Sequence, residues 1–287
     1  MLAKRIISAV IMVLLLAAVL MTGGWWLVGT ALLLSVCVSF EFIVFAAGRS
    51  VVSFVLLPFM LPSLLAIGYG LQGVAIGVAF AWVLLLLIII LLSEFSIFRC
   101  SDYPCEHPSG LSPVEDKGKA FYRLLPALSL GLLYPGIFAA FCVYTSTTPD
   151  AAFRFAWVFA VAAASDTMAF FVGSSVGGPK LLPGVSPKKT VSGALAGLSA
   201  AILVSILYQL IAGGGDYLPA AGWGLVAGLF VQLGDLGESM CKRIFSVKDS
   251  GALIPGHGGV LDRVDGVLLA MSVLPFAFDN GLLVWNL

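Results

Sequence analysis

Across 287 residues, 60% are hydrophobic and only 10% charged, well short of the quarter or so that soluble domains carry. Fifteen basic and fifteen acidic residues cancel to a formal net charge of zero, so no global field recruits nucleic acid. Five cysteines, at positions 37, 100, 105, 142 and 241, are odd in number and scattered, which argues against a disulfide framework. What remains is an integral membrane protein, all-α and polytopic.

The N-terminus carries Lys4 and Arg5 before an apolar run to about Thr22. A signal peptide begins this way too, but no small-x-small cleavage site precedes Gly23-Gly24-Trp25-Trp26, so a retained first span is expected. Further spans are expected at 25–46, 51–70 and 72–93, each near the ~20 residues that cross a hydrocarbon core. Pro58 and Pro62 should kink the third. Glu41 and Glu94 fall near span ends. An interfacial position is the favoured reading of Glu41, a functional intramembrane acid the other.

Residues 94–123 form the first polar stretch. Cys100-x4-Cys105-x-His107 offers three zinc-type ligands, but a structural site wants four and no convincing fourth is evident. Its Pro, Ser and Gly content reads as a loop, with an interfacial helix around 115–123. The natural division of the chain is 1–123, N-terminal spans with this loop, and 124–287, the part that carries the chemistry.

Spans resume at 124–145 and 151–173. Asp166 lies inside the latter, about two turns from its end, where an acid usually has a partner or a pathway to serve. Gly177-Gly178-Pro179-Lys180 follows, then Ser186-Pro187-Lys188-Lys189-Thr190. Pro187 suits the first turn of a helix capped by Ser186, and free amides there beside two lysines would form an anion site. Spans at 190–212 and 217–236 lead to the densest charge in the chain, and a last span covers 266–286. The total is nine.

From Gly234 to Asp265 the chain reads GDLGESMCKRIFSVKDSGALIPGHGGVLDRVD, with Asp235, Glu238, Asp249, Asp262 and Asp265 among Lys242, Arg243, Lys248 and Arg263. Burying charge in a membrane costs roughly 2.5–3.5 kcal/mol per residue at the centre on insertion scales, so a cluster beside apolar helices is a functional candidate. On a helix Asp235, Glu238 and Lys242 share one face, as do Asp262 and Asp265. Two acid-bearing helix ends can therefore converge from opposite sides of one loop. Mixed carboxylates and cations suit divalent metal held together with phosphate. Asp235 and Asp262 are the first candidates for direct Mg2+ ligands, with Asp166, Glu238 and Asp265 as further ligands or supports. Lys188, Lys189, Lys242, Arg243, Lys248 and Arg263 are candidates for phosphate, each with an alternative role as an interfacial anchor. The loop Pro255-Gly256-His257-Gly258-Gly259 lets backbone approach a ligand closely. His257 would donate to a phosphate, orient a carboxylate, or serve only as a structural hydrogen-bonding group.

The pattern Ser239-x-x-Lys242-Arg243, Lys248-Asp249, Gly251, Pro255, His257-Gly258-Gly259, Asp262-Arg263-x-Asp265 resembles the signature of phosphatidate cytidylyltransferases (CDP-diacylglycerol synthases). Upstream, Asp166 and Ala169 match the family's Ser-Asp-x-x-Ala block, and Ser186, Pro187, Lys189 and Thr190 its Ser-Pro-x-Lys-Thr block. The resemblance covers roughly 160–270. Three positions depart: Ser174 stands where a basic residue is usual, Ser192 where an acid or amide is, and Cys241 where a larger aliphatic is. The resemblance implies transfer of the cytidylyl group of CTP to phosphatidate, giving CDP-diacylglycerol and pyrophosphate for phospholipid biosynthesis. Catalytic residues would be Asp166, Lys189, Asp235, His257 and Asp262. Substrate contacts would come from Ser186, Lys188, Lys189, Thr190, Lys242, Arg243, Lys248, Asp249 and Arg263. Expected cations are Mg2+ and a second metal or a monovalent ion such as K+; expected partners are CTP, the lipid, the bilayer and a second copy in a homodimer.

Numbering loops alternately puts fourteen Lys and Arg on one side and only Arg154 on the other. That asymmetry makes the N-terminus cytoplasmic, the C-terminus external and the acidic loop cytoplasmic, in the inner membrane. Two rival classes stay open. An ion-coupled transporter would use Asp166 and Asp235 as cation sites, though its site would sit at mid-bilayer and the chain lacks an evident inverted repeat. A CDP-alcohol phosphatidyltransferase is faintly echoed by Asp262-x-x-Asp265-Gly266, without that class's Ala-Arg pair and later aspartates.

Overall fold

The computed structural model describes residues 2–47, 138, 141–142, 144–146, 148–244, 249–251, 253–254 and 258–279. The expected spans at 51–70 and 72–93, most of 124–145, the Cys100–His107 group, Glu94, Lys248 and His257 lie outside them. Among the described residues the chain forms α1 (Leu2–Thr22), α2 (Gly24–Ala47), α3 (Ala151–Ser175), β1 (Lys180–Leu182), β2 (Ser186–Thr190), α4 (Val191–Ile211), α5 (Tyr217–Ile244) and α6 (Leu261–Ala270). A 3-10 turn, Met271–Val273, leads to α7 (Leu274–Asp279).

Among the described residues, three helices are long and apolar enough to cross a membrane: Ala151–Ser175, Val191–Ile211 and the Tyr217–Arg243 part of α5. On α4, Leu203, Leu207 and Leu210 recur at helical spacing and are each more than half exposed, the face expected to meet lipid. Lipid tails give helices no hydrophobic reason to associate, so close packing of small residues has to do it. A Cβ on Gly193 of α4 would stand 2.6 Å from the Ala169 carbonyl of α3, and one on Gly197 2.9 Å from that of Ser165. The next pair repeats the device, since a Cβ on Gly228 of α5 would lie 2.7 Å from Ala201 Cβ. Both pairs, Gly193/Gly197 and Gly224/Gly228, have the small-xxx-small spacing. Trp157 Nε1 donates to Ser205 Oγ at 3.0 Å and Gln232 Nε2 to the Ala194 carbonyl at 2.9 Å, adding polar links between neighbouring helices.

At the end of α3 that begins at Ala151, Arg154 pairs with Asp150 at 2.8 Å and with Asp279 at 2.5 Å, and stands over the Phe278 ring. Arg154 thereby ties α3 to α7. Asp166 lies about three turns further along α3, so the acid-rich site occupies the other end of the bundle.

Three expectations are corrected. The chain is mostly helical but not all-α: β1 and β2 form a two-stranded antiparallel hairpin. Consequently Ser186 and Pro187 do not start a helix. Residues 186–190 are committed to the strand, where Pro187 is tolerated at an edge, and the helix begins only at Val191. Thr190, extended at φ −116° and ψ 155°, is its cap, with Oγ1 accepting from Gly193 N at 3.1 Å. Finally, the C-terminal helix begins at Leu261 rather than 266 and breaks at Met271–Val273, just before Pro275, whose missing N–H and ring interrupt the ladder.

Candidate active site

The hairpin, the C-terminal turns of α5, the start of α6 and the Asp166 end of α3 meet at the site. The hairpin is held to α5 by Val185, fully buried against Met240, and by Arg243, whose Nε donates to the Val185 carbonyl at 3.1 Å. Along β2, Lys188 is exposed, Lys189 is half-buried and Thr190 is buried. Lys189 Nζ reaches Asp235 Oδ2 at 2.5 Å.

α5 extends to Ile244, two turns beyond the expected end at 236, because Glu238 and Lys242 pair one turn apart at 2.6 Å and Lys242 and Arg243 complement the helix C-terminus. Lys242 Nζ also reaches Asp262 Oδ1 of α6 at 2.8 Å, bridging the two helices. Gly266 makes their approach possible: a Cβ there would stand 2.9 Å from Val231 Cγ1 and 3.1 Å from its carbonyl oxygen.

The two acid-bearing ends do converge. Asp235, Glu238 and Asp265 each place a carboxylate oxygen within 4.8 Å of the others. Glu238 is buried, and its Oε1 has no hydrogen-bond partner, an arrangement that is costly unless something else fills it. Three carboxylates so close repel one another unless charge compensates them, and Lys189 and Lys242 alone do not neutralise the group formed with Asp166 and Asp262. All-oxygen donors, clustered and partly buried, fit a hard divalent cation such as Mg2+.

Asp262 sits differently from that trio. Besides Lys242 it accepts from Ser250 N at 3.2 Å and Gly259 N at 3.0 Å. Burial works to raise its pKa, but the hydrogen bonds from Lys242 and the Gly259 amide outweigh it and hold the carboxyl below the usual range. Asp166 opens onto a cavity of about 410 Å3, shared with Lys188, Lys189, Gln232 and Asp235 and walled on its apolar side by Phe170 and Leu181. Ser174 lines the same cavity, and Ser192 donates to the Gly177 carbonyl at the loop beside it. Asp249 and Arg263 are exposed.

Sequence reasoning missed one participant, Ser250, which is buried, and preferred an interfacial position to a functional one for Glu41, which is 2% exposed. Glu41 comes from α2 and accepts from Ser250 Oγ, Val260 N and Leu261 N at 3.2, 2.9 and 2.8 Å. An acid in an apolar run was the available signal; its partners, more than two hundred residues away, were not readable.

These features define a helical membrane protein whose carboxylate–lysine site suits metal-assisted chemistry on phosphate. Residues 3–279 match the family described as the Cytidylyltransferase family, and the chain belongs to it. Similar relatives are each named phosphatidate cytidylyltransferase. That of Brucella abortus biovar 1 (strain 9-941) is 42% identical over 160 residues, 54% of this chain and 53% of its own length. That of Bacillus subtilis (strain 168) is 45% identical over 113 residues, 39% of this chain and 42% of its own. The Helicobacter pylori (strain ATCC 700392 / 26695) protein is 41% identical over 144 residues, 48% and 52%. The chain thus matches about half the length of these relatives.

Proposed function

We propose that the protein is a phosphatidate cytidylyltransferase, transferring the cytidylyl group of CTP to phosphatidate to form CDP-diacylglycerol and pyrophosphate. The observation that carries this reading is the convergence of Asp235, Glu238 and Asp265 within 4.8 Å, with Lys189 and Lys242 on the same group of acids. Family membership and the names of the relatives support it.

A lipid phosphate oxygen attacks the α-phosphorus of CTP in line as the bond to the β-phosphate oxygen breaks and pyrophosphate leaves. The nucleophile is already ionised near neutrality, so no protein base is needed. Catalysis is positioning and charge neutralisation. Asp235, Glu238 and Asp265, with Asp262 and Asp166 beside them, would hold Mg2+, which when bound offsets the charge of the attacking and leaving oxygens. A second cation, divalent or K+, would share the outer acids. Lys188 and Lys189 at the cavity, with Arg243 and Arg263, would meet the phosphates, aided by Lys248, Asp249 and His257; Ser186 and Thr190 shape the strand that carries the lysines. The site faces the cytoplasm, where CTP is, in the inner membrane, with the protein as a homodimer of nine-span chains. The basic-residue asymmetry supports that orientation.

The test is incubation of the purified protein with labelled CTP, phosphatidate and Mg2+. Label should appear in CDP-diacylglycerol, and EDTA should stop it. A transporter would leave both substrates unchanged, and a phosphatidyltransferase would consume CDP-diacylglycerol instead; either result ends this reading.

A further inference from the structure

The N-terminal helices carry none of the acids in the cluster, yet one of them reaches it. α6 starts at Leu261 with Val260 as its cap residue, and Val260 has no side chain able to cap. The first amides of a helix need acceptors. Here Glu41 supplies them, and Asp262, on the helix itself, binds the loop that precedes it. Asp262 accepts from Gly259 N and Ser250 N, while Glu41 accepts from Val260 N, Leu261 N and the Ser250 hydroxyl. The fit around Glu41 is tight. A Cβ on Gly251 would come within 2.6 Å of its Oε1 and a Cβ on Gly259 within 2.6 Å of its Oε2, so both glycines are needed for the carboxylate to enter.

We propose that Glu41 is a positioning residue for the acid cluster. By binding the first amides of α6 it fixes the height and rotation of that helix, and so sets Asp265, one turn in, against Asp235 and Glu238. It touches neither metal nor substrate and acts through Asp262 and Asp265. The proposal rests on the metal-site reading above and deepens it, giving residues 1–47 a part in building the site. Outer-shell partners of metal ligands typically contribute about 10- to 100-fold in affinity.

The experiment is Mn2+ binding to the full chain in detergent, followed by the EPR signal of free Mn2+, for the wild type, Glu41→Ala, Glu41→Gln and Arg154→Ala. Arg154→Ala breaks ion pairs at the far end of the bundle and controls for general loss of stability. The half-saturating Mn2+ concentration should rise about 10- to 100-fold in Glu41→Ala, less in Glu41→Gln, which keeps one acceptor oxygen, and stay at the wild-type value in Arg154→Ala. Wild-type binding in Glu41→Ala, or an equal shift in Arg154→Ala, overturns the proposal. Should Glu41→Ala not fold, Ser250→Ala removes one arm of the network and should shift binding in the same direction; no shift is equally fatal. A wild type that binds no Mn2+ overturns the metal reading and this proposal together, whereas normal wild-type binding with unaltered variants overturns this proposal alone.

Discussion

Lys189 Nζ lies 2.5 Å from Asp235 Oδ2, so a strand residue and a helix residue 46 positions apart in sequence form one charge pair beside the cavity. The pair places a cation next to an acid of the candidate metal cluster, where a phosphate carrying its own negative charge would compete for it. Lys189→Met should lower kcat for CDP-diacylglycerol formation by about 10²-fold or more, the usual effect of removing one charge-stabilising donor. Lys189→Arg should not rescue it fully, because a planar guanidinium does not replace a compact ammonium. Activity within a few-fold of wild type in Lys189→Met would remove the residue from the site.

Asp235 and Asp262 should separate when each is changed to Asn. Asp235 is engaged by Lys189 and, at 3.5 Å, by Ser239, so Asp235→Asn should abolish turnover while thermal unfolding stays near wild type. Asp262 holds Lys242 and the Ser250 and Gly259 amides as well. Asp262→Asn should therefore lose turnover and also about 1–3 kcal/mol of stability. Equal unfolding temperatures for the two variants would contradict the structural share assigned to Asp262.

The helix crossings predict which glycines can be replaced. Gly193→Ala drives a methyl to 2.6 Å from a backbone oxygen, and that cannot relax cheaply; a loss of about 1–3 kcal/mol is expected. Around Gly222 nothing lies within 4 Å, so Gly222→Ala should be neutral or slightly stabilising. Thermal unfolding of both variants in the same detergent decides it, and similar behaviour would mean that α3 and α4 do not meet through Gly193.

The sequence by itself determined the class of the protein and most of the residues of the candidate site. Apolar runs of membrane length and clustered charge are local properties, so the spans around α3, α4 and α5 and the acids of the 234–265 stretch could be read directly. Helical spacing also put Glu238 and Lys242 on one face. Only the tertiary structure decided which acids share a volume. It brought Asp265 within 4.8 Å of both Asp235 and Glu238, folded residues 186–190 into a strand of a hairpin instead of a helix start, and brought Glu41 from α2 to the first amides of α6. These outcomes depend on contacts between segments far apart in the chain, such as Gly266 against Val231 and Val185 against Met240. Such contacts are set by how helices and strands fit against one another, and no periodicity within a single segment carries that information.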